Sequence, residues 1–222
     1  MTSHASAAAE QGGTVKLTRG LIAMFAFCCG AIVANLYYAQ PITELIAPDI
    51  HMTGGTASLI VSLTQIGYAF GLFFLVPLGD LLENRRLMIT TALVSIISLA
   101  LAAVTRQPSA FLAVSLLVGF SSVAVQILIP LAAHLAPDES RGRVVGNIMS
   151  GLLLGILLSR PISSVVAGHF GWRAVFGSAA VLMAIVTTVL ALTIPRRQPS
   201  HQNQEIAIPP VNGKLGSRQE EI

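Results

Sequence analysis

Six stretches of this chain run for roughly 20 residues or more with almost no charge, and they limit the fold more than any other feature. They are Leu21–Gln40, Ala57–Leu81, Leu87–Thr105, Ser109–His134, Val144–Ala167 and Ala174–Ile194. A helix needs about 20 apolar residues to cross the hydrocarbon of a bilayer. No water is available there, so the backbone must satisfy its own hydrogen bonds, which selects helices or closed barrels. Barrel strands run about 9–11 residues with period two, and these stretches are too long and lack that alternation. A water-soluble bundle would show polar helix faces, and Ile89–Val104 shows none. Only 10% of the 222 residues are charged, against about 25% in an average soluble domain. The chain therefore reads as an all-α membrane protein with six transmembrane helices. Residues 1–19 form a polar N-terminal segment, 20–195 the membrane unit, and 196–222 a Pro-, Gln- and Glu-containing tail that reads as disordered.

The placement of basic residues predicts orientation. Counted loop by loop, one side holds Lys16, Arg19, Arg85, Arg86, Arg141, Arg143, Arg196 and Arg197, and the other holds Arg106 and Arg173. Positive residues favour the cytoplasmic side. Both termini are thus expected in the cytoplasm of a cell whose inner (plasma) membrane the chain spans, in agreement with an even number of crossings. The net charge of +3 follows from this asymmetry and is no sign of nucleic-acid binding. Lys16 and Arg19 before an apolar run resemble the start of a signal peptide. Asn35–Gln40 offers no small-residue cleavage site, however, so the first stretch reads as a retained helix. Cys28 and Cys29 are adjacent, closer than disulfide geometry allows, and read as small apolar side chains. No metal or cofactor spacing is present.

The second and fifth stretches share a pattern at an offset of 84 residues: Gly67, Gly71 and Pro77 align with Gly151, Gly155 and Pro161. These positions are candidates for close helix packing. Because the two stretches cross in opposite directions, they predict a 3+3 inverted repeat, a plan that recurs in secondary transporters with the substrate site near the midplane. Chance alignment of two Gly-rich helices is the other reading.

Arg160 lies well inside the fifth stretch. A central arginine costs on the order of 2.5–3.5 kcal/mol to insert, so it faces a cavity or a partner, where it suits an anionic group. The alternative is an arginine close enough to the surface to snorkel. Glu44 is the nearest acidic candidate by depth. Asn35, Tyr38 and Gln40, with Tyr37, end the first stretch. Gln65 and Tyr68 share a face of the second, and Gln126 closes a stripe of small and polar residues in the fourth. A shared cavity for a small-molecule substrate would satisfy all of these, and so would ordinary hydrogen bonds between helices. Gly79, Asp80, Arg85 and Arg86 cluster in the turn after the second stretch, where a carboxylate facing two arginines suits a gate. A plain positive-inside turn is the other reading.

Around these residues the chain resembles the major facilitator superfamily. Val76-Pro77-Leu78-Gly79-Asp80-Leu81-Leu82-Glu83-Asn84-Arg85-Arg86 is similar to the family's signature after its second helix, Gly-x-Leu-Ala-Asp-Arg-x-Gly-Arg-Arg. It matches at Leu78, Asp80 and Arg85 and departs at Val76, Leu81, Glu83 and Asn84. Ala136–Arg143 resembles the link between helices four and five. Gly171-Trp172-Arg173-Ala174-Val175-Phe176 resembles the start of helix six. Asn35–Pro41 resembles the first helix of proton-coupled drug-efflux members. Two signatures are missing: the fourth stretch has no arginine, and Ser159–Ser164 replaces the antiporter motif of helix five. The resemblance implies an alternating-access transporter of a small organic solute or drug, with segments one, two, four and five lining the route and no enzymatic activity.

Family members resemble a pair of six-helix halves, and this chain corresponds to one. The expectation is a truncated member inactive alone, with a homodimer or a separately made second half as the alternatives. Two other functions compete. A non-catalytic membrane partner or assembly protein would need no solute site. An intramembrane serine protease would use Ser150 with His134 or His169, provided that nucleophile and base meet.

Overall fold

The computed structural model describes residues 18–81 and 83–193, and these are helical almost throughout. The N-terminal segment 1–17 and the tail from 194 lie outside the described residues. Helix α1 (Arg19–Ala34) starts where the Thr18 hydroxyl accepts a hydrogen bond from the Leu21 N–H at 3.3 Å, an N-cap of the kind that satisfies an orphan donor. The expected single helix from Leu21 to Gln40 does not form. Residues 35–39 make successive turns, a 3₁₀ turn follows at Gln40–Ile42 with Pro41 in its first positions, and a short helix α2 covers Thr43–Asp49. Thr43 reinforces this change of path by donating to the Ala39 carbonyl at 2.8 Å. The turns hold Asn35, Tyr37 and Tyr38 but no charged residue, which is why an absence of charge alone reads one segment.

Helix α3 (Gly54–Leu81) and α4 (Asn84–Val104) are continuous. The fourth stretch divides into α5 (Pro108–Ser121) and α6 (Ala124–Leu135). The Ser122 hydroxyl turns back onto the Val118 carbonyl at 2.7 Å at this break, a bond that competes with the helical ladder. Helix α7 (Arg141–Phe170) absorbs Pro161 without ending. It stops at Gly171, whose φ of +84° suits the residue without a Cβ, and α8 (Trp172–Thr193) follows at once.

Five stretches are long and apolar enough to cross a membrane: Gly54–Gly79, Arg85–Val104, Pro108–Leu135, Asp138–Phe170 and Trp172–Thr193. Arg19–Ala34 is a shorter apolar helix.

Three pairings organise the bundle: α3 packs along α5, α1 along α7, and α4 along α8. The first two are seams of close backbone approach. A Cβ on Gly30 would stand 2.6 Å from the Gly151 carbonyl oxygen, and one on Gly151 would stand 2.5 Å from the Ala26 carbonyl oxygen. On the other seam, a Cβ on Gly67 would overlap the Leu116 backbone, and one on Gly119 would overlap that of Thr64. Small residues let helix backbones approach where lipid supplies no hydrophobic drive for association. The core between the pairs contains Phe25, Cys29, Ile32, Leu99, Phe111, Leu128 and Met183, all nearly or fully buried. By contrast, α3 and α7 turn large apolar side chains outward, among them Phe70, Phe73 and Phe74 on α3 and Leu153, Leu157 and Val165 on α7.

Candidate functional site

Arg160 is the only described cation inside a membrane-crossing stretch and away from its ends. The change of path after α1 carries Gln40 and Tyr37 to it. The Arg160 Nη2 donates to the Gln40 Oε1 at 2.8 Å, and its guanidinium carbon lies 5.8 Å from the Tyr37 ring centre, within cation–π range. One turn on, the Ser163 hydroxyl donates to the Tyr38 carbonyl at 2.6 Å, tying α7 to the same turn. Among the described residues the ion pairs are Arg141–Asp138 and Arg173–Asp49. Arg160 therefore meets a neutral amide and an aromatic face but no carboxylate, and Glu44 does not pair with it. Within the described residues its charge is uncompensated and most of its five donors have no protein partner.

The other polar residues divide into two groups. Gln126 donates from Nε2 to the Tyr68 hydroxyl at 2.8 Å, joining α6 to α3. Gln65, one turn before Tyr68, is exposed. Asn35 is only 3% exposed, and neither end of its amide has a hydrogen-bond partner. Such a group costs about 1–3 kcal/mol while unsatisfied. Tyr38 is buried beside it. The structure thus brings Gln40 to Arg160 and Gln126 to Tyr68, and it leaves Asn35 and Gln65 without a side-chain partner.

In the turn between α3 and α4 the side chain of Asp80 lies outside the described residues. Arg85 reaches across to α8 and donates from Nη2 to the Ala191 carbonyl at 2.7 Å, while Arg86 is exposed. Cations near a helix C-terminus meet its unpaired carbonyls and its dipole.

At the opposite end of the bundle lies a cluster that sequence reasoning did not assemble. Asp49, in the last turn of α2, accepts from the Arg173 guanidinium and from the Trp172 Nε1 at 3.2 Å. Arg173 also stacks over the Trp172 ring at 4.2 Å and donates to the Thr105 carbonyl at 3.4 Å. The hydrogen bond from Arg173 holds the Asp49 carboxyl below its ordinary value. The Gly171-Trp172-Arg173 run was visible as a motif, but its acidic partner lies more than a hundred residues away.

Ser150 and the histidines do not form a nucleophile–base pair. The Ser150 hydroxyl donates to the Gly146 carbonyl at 2.9 Å. His169 is 19 residues further along the same helix, about 28 Å at the helical rise.

The chain matches the Major Facilitator Superfamily over residues 21–217. It belongs to this family. Over 189 residues this superfamily member is 42% identical to the "Uncharacterized transporter YgaY" of Escherichia coli O157:H7, covering 85% of the chain and 48% of the relative. It is 36% identical over 190 residues to the "Probable transporter SCO4007" of Streptomyces coelicolor, covering 85% of the chain and 44% of that protein. The chain thus spans about half the length of these curated relatives. The human organic anion transporter MFSD10 shares the fold, with a TM-score of 0.56 at 18% identity over 81% of this chain and 49% of that one. Family membership makes the apolar helices those of a multi-pass membrane protein, and its bacterial relatives imply an inner-membrane location.

Proposed function

We propose that the chain forms one half of a secondary transporter that moves a small organic solute by alternating access. In this reading α1, α3, α5–α6 and α7 line the route, while α4 and α8 lie behind them. The six apolar units form a 3+3 inverted repeat. Two features support the repeat. Exchanging the two triplets turns the α1–α7 pairing into the α5–α3 pairing and returns α4–α8 to itself. The glycine seams correspond as well, Gly30 against Gly151 and Gly155 on one, Gly119 against Thr64 and Gly67 against Leu116 on the other. Among the described residues, Arg19, Arg85, Arg86, Arg141 and Arg143 sit at one end of the bundle and Arg106 and Arg173 at the other. That bias supports a cytoplasmic position for both termini.

The observation that carries the transport reading is Arg160 bound to Gln40 with no carboxylate in reach. A membrane-embedded arginine is retained against its insertion cost where it serves a function. Its free donors fit an acidic group on the solute. Gln40, Tyr37 and Tyr38 then shape the site, with Asn35, Gln65, Tyr68 and Gln126 further along the route. Gly79, Asp80, Arg85 and Arg86 act as the gate between α3 and α4, and Arg85 is already held against the end of α8. The outward apolar faces of α3 and α7 are covered by a second half or by a second copy of this chain. The run Asn35–Pro41 favours the drug-efflux branch of the family.

The test is flux in reconstituted vesicles with a panel of labelled organic anions, for the native chain and for Arg160→Ala and Arg160→Lys. Saturable flux that falls at least ten-fold in both variants supports the assignment. Native flux that Arg160→Ala leaves unchanged, or a preference for cationic solutes, overturns it.

A further inference from the structure

We propose that Asp49 is a positioning residue for Arg160: its contacts with Arg173 and Trp172 anchor the far end of the run Gln40–Asp49 and so set Gln40 on the Arg160 guanidinium. The 3₁₀ turn at Gln40–Ile42 passes into α2 without a break, so residues 40–49 form one helical run. A run this short does not hold itself in place, since isolated helices below about 12–15 residues are marginal in water. Ile42 and Ile46, four residues apart, are 1% and 0% exposed, and they fix which side of the run faces the bundle. Polar contacts at its two ends fix where it lies along α7 and α8. At the near end the Ser163 hydroxyl holds the Tyr38 carbonyl, and Arg160 holds Gln40. At the far end Asp49 accepts from Arg173 and from Trp172.

The far anchor is built on fixed groups. Trp172 is buried and packs edge-on against Phe111 and Phe176, with ring centres 5.6 and 6.0 Å away. Arg173 stacks on Trp172 and donates to the Thr105 carbonyl just past α4. A lone exposed ion pair contributes little, but Asp49 meets both an indole N–H and a guanidinium that is held on two other sides. Gly171 alone separates α7 from α8, so Arg160 and Arg173 belong to one frame, and the run bridges two points of it. With Asp49 released, the run keeps its apolar contacts but loses its register along α7, and Gln40 leaves Arg160. The proposal deepens the reading of Arg160 as the solute site and rests on that reading for its part in transport.

The experiment measures the rate at which p-hydroxyphenylglyoxal modifies Arg160 in the full chain in mild detergent, read by mass spectrometry after digestion. Asp49→Asn and Arg173→Met should each raise that rate about five-fold, the factor that loss of one hydrogen bond allows, while Asp49→Glu stays near the native rate. Gln40→Ala should give the same rise, and Asp49→Asn/Gln40→Ala no more than either change alone. Asp49 and Gln40 are nine residues apart, about 14 Å at the helical rise, a separation at which independent effects add. An unchanged rate in Asp49→Asn overturns the proposal, as do additive effects in the double variant. Arg85, bonded to the Ala191 carbonyl at the other end of the bundle, reports on the fold as a whole. A rise confined to Arg160 supports the positioning role. A rise shared by Arg85 overturns it, because Asp49 would then hold the whole bundle rather than Gln40. No solute is needed, so the expected labelling beside absent flux would keep the positioning role and sink the transport reading alone.

Discussion

Gly155 of α7 and Gly30 of α1 face each other backbone to backbone, so a single methyl group on Gly155 would overlap the Gly30 carbonyl and Cα. A larger residue must push the two helices apart. Overpacking of this kind costs about 1–3 kcal/mol or more. Gly155→Val is expected to lower the thermal unfolding midpoint in detergent. Gly168→Val on the same helix meets nothing within 4 Å and serves as the control. Equal effects of the two substitutions would contradict the close-packing role.

Arg160 predicts accessibility. Cys28 and Cys29 are 1% and 0% exposed, so they should stay silent toward charged thiol reagents. A cysteine at position 160, in a background lacking both, should react with a small negatively charged methanethiosulfonate at least ten-fold faster than a cysteine at Ser163, which is fully buried. Complete protection of position 160 under every condition would contradict an aqueous site.

The Tyr68–Gln126 hydrogen bond joins α3 to α6. Such bonds between membrane helices average about 0.6 kcal/mol. A double-mutant cycle of Tyr68→Phe and Gln126→Leu should give a coupling energy near that value, read from unfolding by denaturing detergent. A coupling of zero would mean that the pair contributes nothing to the helix contact.

Asp49 gives a prediction about pH. Its folded carboxyl titrates below the ordinary carboxylate range because of the hydrogen bond from Arg173, with help from Trp172. A depressed carboxyl stabilises the fold above its unfolded value of about 3.9 and loses that contribution as pH falls through the folded value. The native chain should therefore be more stable than Asp49→Asn near neutrality. The difference should shrink below about pH 4, measured as unfolding midpoints across pH 3–7. A difference independent of pH would show that the carboxylate charge plays no part.

Much of the architecture was legible from residue types alone. The apolar runs from Ala57 to Ile194 could only be helices, because lipid offers no partner for an exposed backbone group. The 84-residue repeat of glycines and proline picked out α3 and α7, the two helices that carry a glycine pair on each backbone seam. The breaks at residues 35–39 and 122–123 were not legible. No charge, glycine or proline lies at these positions, and the first turn is tied down by contacts such as Ser163 with the Tyr38 carbonyl.

The sequence by itself determined the solvent of this protein, its helical content and its family, since each follows from local chemistry read along the chain. Only the tertiary structure decided which residues share a site. Gln40 reaches Arg160, Asp49 reaches Arg173 and Arg85 reaches Ala191 across separations of 120, 124 and 106 residues. The physical reason is that helix pairing in lipid depends on close backbone approach at a few glycines. That approach, not hydropathy, brings distant polar groups to the same depth.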